Sequence, residues 1–553
     1  MAETLTPLPA SSASDTPSRV RLTHIFLILA AGILVRIPFY LASRPIWSGD
    51  SEGYASFYAL WVHHHFFLGE RTPVYPLFLG FAQWITASTP ARTIGAHAAY
   101  AVILMQSTLD VLSAALFYLS LGTLRIRPRT ALVAALFLAT IPALCRYEMN
   151  ILNMSFSFAW MVLLTSLFLF IIHRIHSGQP IAALSIVTGI TASLAILNRP
   201  EFLIFLILLL AFTLLSALMA ASPAAPTGAP PSPRSVRLRW ESAPSPALAT
   251  FAILTALSTA PAILLWMSIM YAGIGQFRIT TLDGWNRTRT VYNLFDRVPP
   301  EDQLIGLIMA NTYRQQQQTG GVNLREIVWP AEHDLFLSAN LSRYPLPDAA
   351  TTPTPFQQSL QRTLGIVPLP CRVKVVDYCE ELMHIKIDVG DYLGLVSTKL
   401  ARQNRAAWLS NIASNFAHES FNFNYFGAKP SRLDDPPIAP GGGPVILNPT
   451  ADRLLTRLST LHAPLLLATY LVTLLCALLS PFIFRARPHQ HWLQDATIAT
   501  LALASIGTIV GTAVLAGFNR VYSLPHLAVF TICTAYAYEN RARILATLAP
   551  RQH

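Results

Sequence analysis

The sequence predicts an all-α polytopic membrane protein with about ten transmembrane helices and a separate, mixed but mainly helical domain on the outer side. Three observations carry that expectation. Of 553 positions, 53% are hydrophobic and only 12% are charged, about half the charged fraction of a soluble domain. Apolar stretches of roughly 17 to 25 residues, enough to cross about 30 Å of hydrocarbon as helix, recur at approximate positions 24–43, 100–121, 130–145, 152–172, 180–197, 201–220, 247–271, 460–484, 495–517 and 523–538. Basic residues between these stretches alternate in density, as they do in multi-pass proteins. Length, apolarity, low charge and five cysteines exclude a disordered chain, a coiled coil, a collagen and a small disulfide scaffold.

The elements follow in order. Residues 1–22 are polar and rich in Pro, Ser and Thr, which reads as a disordered cytoplasmic tail; the helix behind it lacks a small-residue cleavage site and counts as a span. Residues 23–272 form a transmembrane module holding a first outer loop, 45–99, and a Pro/Ala/Ser-rich cytoplasmic linker, 221–246, with Arg234, Arg237 and Arg239. The positive-inside rule places Arg19 and Arg21, Arg125, Arg127 and Arg129, Arg174, Arg485 and Arg487, and Arg541, Arg543 and Arg551 on the same cytoplasmic side, with both termini inside. Residues 273–452 form the outer domain, long enough to bury a core; residues 453–545 return to the membrane, and 546–553 are a short tail.

The net charge of +11 invites a nucleic-acid partner, but its distribution removes that class. Positions 273–450 hold 16 Lys plus Arg and 16 Asp plus Glu, so the excess is an orientation signal at the cytoplasmic loops. Cys371 and Cys379 lie eight residues apart in the outer domain and read either as a disulfide or as two thiols. No internal repeat is visible, against an inverted-repeat transporter.

The most informative stretch follows the first span: SRPIWSGDSEGYASFYALWVHHHFFLGERTPVYPLFLGFAQWI. It brings Asp50, Glu52, Glu70 and Arg71 close to the membrane surface, and Tyr54, Phe57, Tyr58, Trp61, Phe66 and Phe67 recur at near-helical spacing, as on a helix lying in the interface. His63, His64 and His65 are consecutive and point about 100° apart on a helix, a poor arrangement for one metal ion. Arg36 and Asp110 fall inside spans, where charge needs a partner or water; a structural pair and a site role both remain open.

The stretch "GDSEGY" after the first span, followed some twenty residues later by "ERTPVYPLFLG", resembles the first outer loop of polytopic glycosyltransferases that use polyprenyl-phosphate sugars. These are the GT-C type enzymes of the protein mannosyltransferase and aminoarabinose transferase group, including Rgt-like members of glycosyltransferase family 39. "LAILNRPEFL", "GIGQFRITTLDGWNRT" and "NRVYSLPHL" fit the same pattern in order. The resemblance implies a GT-C-like bundle in a bacterial inner membrane, an outer-face active site, a polyprenyl-phosphate sugar donor, and a lipid, glycan or protein acceptor. The family's second acidic position has no direct counterpart in "RYEMNILNMSFSF", where Glu148 stands a few residues early.

Such a transfer needs a base for the acceptor and cations for a departing phosphate. The sequence offers Asp50 as base, Glu52 or Glu148 as an orienting carboxylate, and Arg71, Arg199 and Arg520 as phosphate binders, with Arg278 and Arg287 behind them. Tyr54, Glu70, Tyr75, Glu201 and Tyr522 are expected around the substrate, although Arg199 with Glu201 also reads as a structural ion pair, and Arg520 as an interface anchor. A magnesium or manganese ion held by Asp50, Glu52 or Glu148 is an open alternative. The competing classes are a secondary transporter or lipid flippase, argued from Arg36 and Asp110, and a membrane receptor or scaffold; a ligase or polymerase using a pyrophosphate-linked oligosaccharide is a nearer variant.

Overall fold

The computed structural model describes residues 18–47, 49–64, 71–90, 94–221, 245–318, 374–375, 378–420, 447–485, 491–516 and 520–548. The helices are α1 (Ser18–Ala42), α2 (Gly49–His64), α3 (Val74–Ile85), α4 (Ala96–Leu121), α5 (Pro128–Ala139), α6 (Pro142–Glu148), α7 (Asn153–His176), α8 (Ala182–Asn198) and α9 (Phe202–Ala221). They continue with α10 (Ser245–Ile274), α11 (Asp283–Thr288), α12 (Gln303–Gln318), α13 (Glu380–Gln403), α14 (Arg405–Ser420), α15 (Pro449–Arg485), α16 (Trp492–Ala516), α17 (Leu527–Glu539) and α18 (Arg541–Leu548). The described strands are an antiparallel pair of two residues each, Lys374–Val375 with Tyr378–Cys379. The tail before residue 18, most of the 221–246 linker and the Cys371 side of the expected disulfide lie outside the described residues.

Among the described residues, seven helices are long and apolar enough to cross a membrane: α1, α4, α7, α9, α10, α15 and α16. The protein is therefore multi-pass and all-α in its membrane part, as the sequence leads one to expect. Stretch 130–145 is the pair α5 and α6, bent by 43°, an eighth span if the pair counts as one; α8 and α17 are apolar but only 17 and 13 residues long. The bend has a covalent cause. Pro142 opens α6 and holds the preceding Ile141 extended, so α5 stops at Ala139.

Apolar side chains stand outward along the spans, with Phe26, Leu218, Leu257 and Phe482 all more than 60% exposed. In water such a belt would drive association; among lipid tails it has no cost. Inside, small residues allow close approach. A Cβ at Gly189 of α8 would lie 1.9 Å from Ser258 Oγ of α10, and Thr259 Oγ1 donates to the Gly189 carbonyl at 3.1 Å. The main core joins Phe117, Phe158, Phe168, Phe205, Phe251, Tyr470 and Phe530 from six helices.

Arg36 and Glu148 form the bundle's deepest charge pair, with side chains 4% and 1% exposed. Arg36 Nε donates to Glu148 Oε2 at 2.7 Å, and Nη2 donates to Oε1. Nη1 donates to the carbonyls of Gly32 at 2.7 Å and Ala139 at 2.9 Å. The second of these carbonyls ends the interrupted α5, where helical partners run out, so the cation caps the break that Pro142 creates. Ser107 Oγ donates to Glu148 Oε2 at 2.8 Å, and Tyr40 donates to Ser107 at 2.9 Å. Glu148 is thus enclosed as the counter-ion of Arg36. Asp110 is buried beside the same pair.

The segment between α10 and α15 has its own core of Trp285, Val291, Leu294, Phe295, Met309, Leu393, Val396 and Leu400. It rests on the bundle through Ile412 and Phe416 of α14. The loop helix α2 also departs from expectation. Tyr54, Phe57 and Leu60 are buried, and Phe57 faces Trp266 of α10 with ring centres 6.1 Å apart, so α2 is packed between helices rather than lying in the interface.

Removing one member of a buried ion pair leaves the other charge uncompensated. Glu148→Leu or Arg36→Met alone should each destabilise the protein by about 3–5 kcal/mol, and the double substitution should cost less than the sum. Thermal unfolding of the purified chain in detergent measures this, and additive losses would show that the two groups do not act as a pair.

Candidate functional site

The site forms where α1, α4, α8, α9 and α10 bring one end of the bundle together. After α1 the chain is pinned before it turns into α2. Ile46 N donates to the Met149 carbonyl at 2.7 Å, Ile151 N to the Ile46 carbonyl at 3.0 Å, and Ser51 Oγ to the Ile151 carbonyl at 2.8 Å. Asp50 and Glu52 sit in the first turn of α2, where unpaired backbone N–H groups favour carboxylates. Asp50 is 51% exposed and Glu52 half-buried.

Arg71 reaches back across this turn. Its Nη2 donates to Asp50 Oδ1 at 2.5 Å, and its guanidinium lies 4.8 Å from the ring centre of Tyr54. Gly53 makes the approach feasible, since a Cβ there would stand 3.0 Å from Arg71 Nε. The next residue, Thr72, donates to the Asn198 carbonyl at 3.1 Å, which also accepts from Asn153 at 3.0 Å. These bonds tie the Arg71 segment to Arg199 at the end of α8.

Arg199 is buried, ion-paired with Glu201 and lies 4.9 Å from the ring centre of Tyr522. The structural reading of Asn-Arg-Pro-Glu as a turn-closing ion pair therefore agrees with this geometry. Tyr522 follows Arg520 in a short 3-10 turn, but the Arg520 side chain lies outside the described residues, as do Glu70, His65, Phe66 and Phe67. Tyr75 is fully buried and donates to Gln106 Oε1 at 2.8 Å, so it supports the site from behind instead of lining it.

Arg71, then Arg289 and Arg199, surround Asp50 with positive charge and hold its carboxyl below the ordinary 3.8. Burial pushes the Tyr54 phenol up to about 12, so that ring stays neutral. Sequence reasoning missed Arg289, at the end of α11, and chose its neighbours. Arg278 is instead bound to Asp391 at 2.5 Å, and Arg287 reaches Thr398 at 3.4 Å. The run Arg-Thr-Arg-Thr offered both Arg287 and Arg289, but not which one a short helix would turn toward Asp50.

Among the described residues no three His, Cys, Asp or Glu side chains gather as a metal-ligand set. Asp50 is engaged by Arg71, Glu148 by Arg36, and His63 meets the Pro90 carbonyl at 3.0 Å. What the arrangement offers is one half-exposed carboxylate, three guanidinium groups and aromatic walls at the end of a lipid-facing bundle, a constellation suited to an anion carried on an apolar tail.

No family model matches the chain, and no curated protein does. Among solved structures, the chain is similar to the archaeal oligosaccharyltransferase AglB from Archaeoglobus fulgidus. With the form bound to an inhibitory peptide and a dolichol-phosphate, identity is 12% and the TM-score 0.46, over 96% of this chain and 52% of that one. With the apo form of that enzyme, identity is 14% and the TM-score 0.46, over 96% and 51%. The chain spans about half the length of these structures.

Asp50 has a lowered pKa, so its ion pair contributes fully above the unfolded value of 3.8 and is lost as pH falls through the lower, folded value. Labelling of Asp50 by a water-soluble carbodiimide, followed by peptide mass spectrometry across pH, should therefore show a midpoint below 3.8. Arg71→Gln should move that midpoint upward, and an unmoved midpoint would remove Arg71 as the main cause.

Proposed function

We propose that the protein is an integral membrane glycosyltransferase of GT-C type that moves a sugar from a polyprenyl-phosphate donor to a lipid, glycan or protein acceptor at the outer membrane face. The observation that carries this reading is the half-exposed Asp50 carboxylate held by Arg71, with Arg199 and Arg289 in electrostatic reach, at the end of a bundle with lipid-facing flanks.

Each residue then has a chemical task. The donor phosphate is drawn to the guanidinium groups, of which Arg71 is more exposed than Arg199, and Tyr54 and Tyr522 give Arg71 and Arg199 flat surfaces to lie against. Glu201 keeps Arg199 in place, and Arg520 is a further candidate phosphate binder by its place in the sequence. The acceptor oxygen attacks the anomeric carbon from the face opposite the phosphate. Its proton passes to Asp50 Oδ2, the bond from carbon to phosphate oxygen breaks, and the polyprenyl phosphate leaves with that electron pair. One carboxylate suffices because a phosphate departs without a general acid, and a single displacement inverts the anomeric centre.

A carboxylate clamped by arginine is a weak base. A phosphate that competes for Arg71 relieves the clamp and strengthens Asp50 as the donor binds, which ties base strength to donor occupancy. Of the two residues on which a transporter reading rested, Arg36 is taken up by Glu148 and two carbonyls and Asp110 is buried beside that pair.

Transfer of radiolabelled sugar from a polyprenyl-phosphate donor by membranes carrying the chain tests the reading. Asp50→Asn should lower kcat by about a hundredfold to ten-thousandfold, and Arg71→Gln should raise the donor KM. Full activity in a correctly inserted Asp50→Asn variant would exclude Asp50 as base. Substrate counterflow in proteoliposomes without a glycosylated product would overturn the enzyme reading.

A further inference from the structure

The Asp50 and Arg71 segments are separate pieces of chain, and little in their own sequence fixes how they meet. Both are held from behind by one side chain, Gln106 of α4, which is fully buried. On one side its Nε2 donates to the Glu148 carbonyl at 2.8 Å and to the Asn150 carbonyl at 3.1 Å. Those residues belong to the 148–151 turn, which bonds Ile46 twice through its backbone and accepts the Ser51 hydroxyl next to Asp50. On the other side Gln106 Oε1 accepts from Tyr75. Tyr75 stands edge-on to Tyr54 with ring centres 5.0 Å apart, and Tyr54 is the surface on which Arg71 lies.

We propose that Gln106 is a positioning residue for the Asp50–Arg71 pair: one buried amide fixes the carboxylate-bearing turn and the arginine-bearing segment to the same point of α4. The amide suits this task because it donates twice and accepts at once, with no charge to compensate in an apolar surrounding. Leucine occupies the apolar site and makes none of these bonds, so Gln106→Leu releases both segments together. Tyr75→Phe releases only the Arg71 side, and Ser51→Ala only the Asp50 side. The catalytic arm of the test rests on the proposed transfer reaction, whereas the structural arm does not.

The structural arm follows carbodiimide labelling of Asp50 against pH in the purified full chain in detergent. Gln106→Leu is expected to raise the labelling midpoint toward that of Arg71→Gln, with Tyr75→Phe and Ser51→Ala producing smaller shifts in the same direction. Gln106→Glu, which preserves the acceptor for Tyr75, should give an intermediate midpoint and serves as readout if the leucine variant does not fold. A midpoint unchanged in the folded Gln106 variants while Arg71→Gln shifts it would overturn the proposal. In the catalytic arm, Gln106→Leu should lower kcat about a hundredfold with the donor KM within twofold, and an unchanged kcat would overturn it equally. Absence of transfer by the wild-type chain would refute the proposed function alone, leaving the labelling midpoint to decide the role of Gln106.

Discussion

The ion pair between Arg36 and Glu148 is the constraint from which the rest of this bundle is arranged. A charge at that depth is tolerable only when every polar atom finds a partner, and here the partners come from different elements. Arg36 binds the carbonyl stranded by the break before Pro142, Glu148 takes the hydroxyl of Ser107, and Ser107 takes that of Tyr40. Satisfying one arginine thus fixes α1, α4, α5 and α6 relative to one another. The turn that begins at Glu148 is therefore stationary, and the chain bearing Asp50 is bonded to that turn.

Two carboxylates in this chain illustrate opposite uses of the same chemistry. Glu148 is enclosed, holds its cation from two oxygens and has no face left for a ligand. Asp50 is half open, meets Arg71 through one oxygen and lies in surplus positive charge. Enclosure turns an ion pair into framework; an open edge and an excess of cations leave one that an incoming anion can rearrange.

Much of this was legible in the sequence, and the failures share a cause. The positions of the helices followed from apolar runs because lipid imposes that composition locally, and the arginine turn at 199–201 followed from adjacent residues. Asp50 and Arg71 were legible as members of one loop. The pairing of Glu148 with Arg36 was not legible because the two stand 112 positions apart, and no local pattern announces a pairing across that separation. Tyr75 resembled a loop residue until α3 and α4 closed over it. Arg289 was offered only as one of two arginines, since the choice depends on which way a six-residue helix turns, and Gln106 gave no signal, since its role depends on two backbone carbonyls and a phenol arriving from elsewhere. The two shorter helices were overestimated because apolar composition continues past the point where the backbone leaves helical geometry.

The brevity of α17 has a consequence for how a lipid-borne substrate would meet this end of the molecule. Thirteen residues rise about 20 Å as helix, against about 30 Å of hydrocarbon. Its other end is anchored by charge, with Glu539 bound to Arg127 at 2.9 Å and Arg543 to Asp495 at 2.8 Å. With that charged end at one surface of a bilayer, the shortfall would fall at the end carrying Tyr522 and Arg199, and under the proposed function a lipid-borne phosphate would have to leave the headgroup layer to meet the arginines.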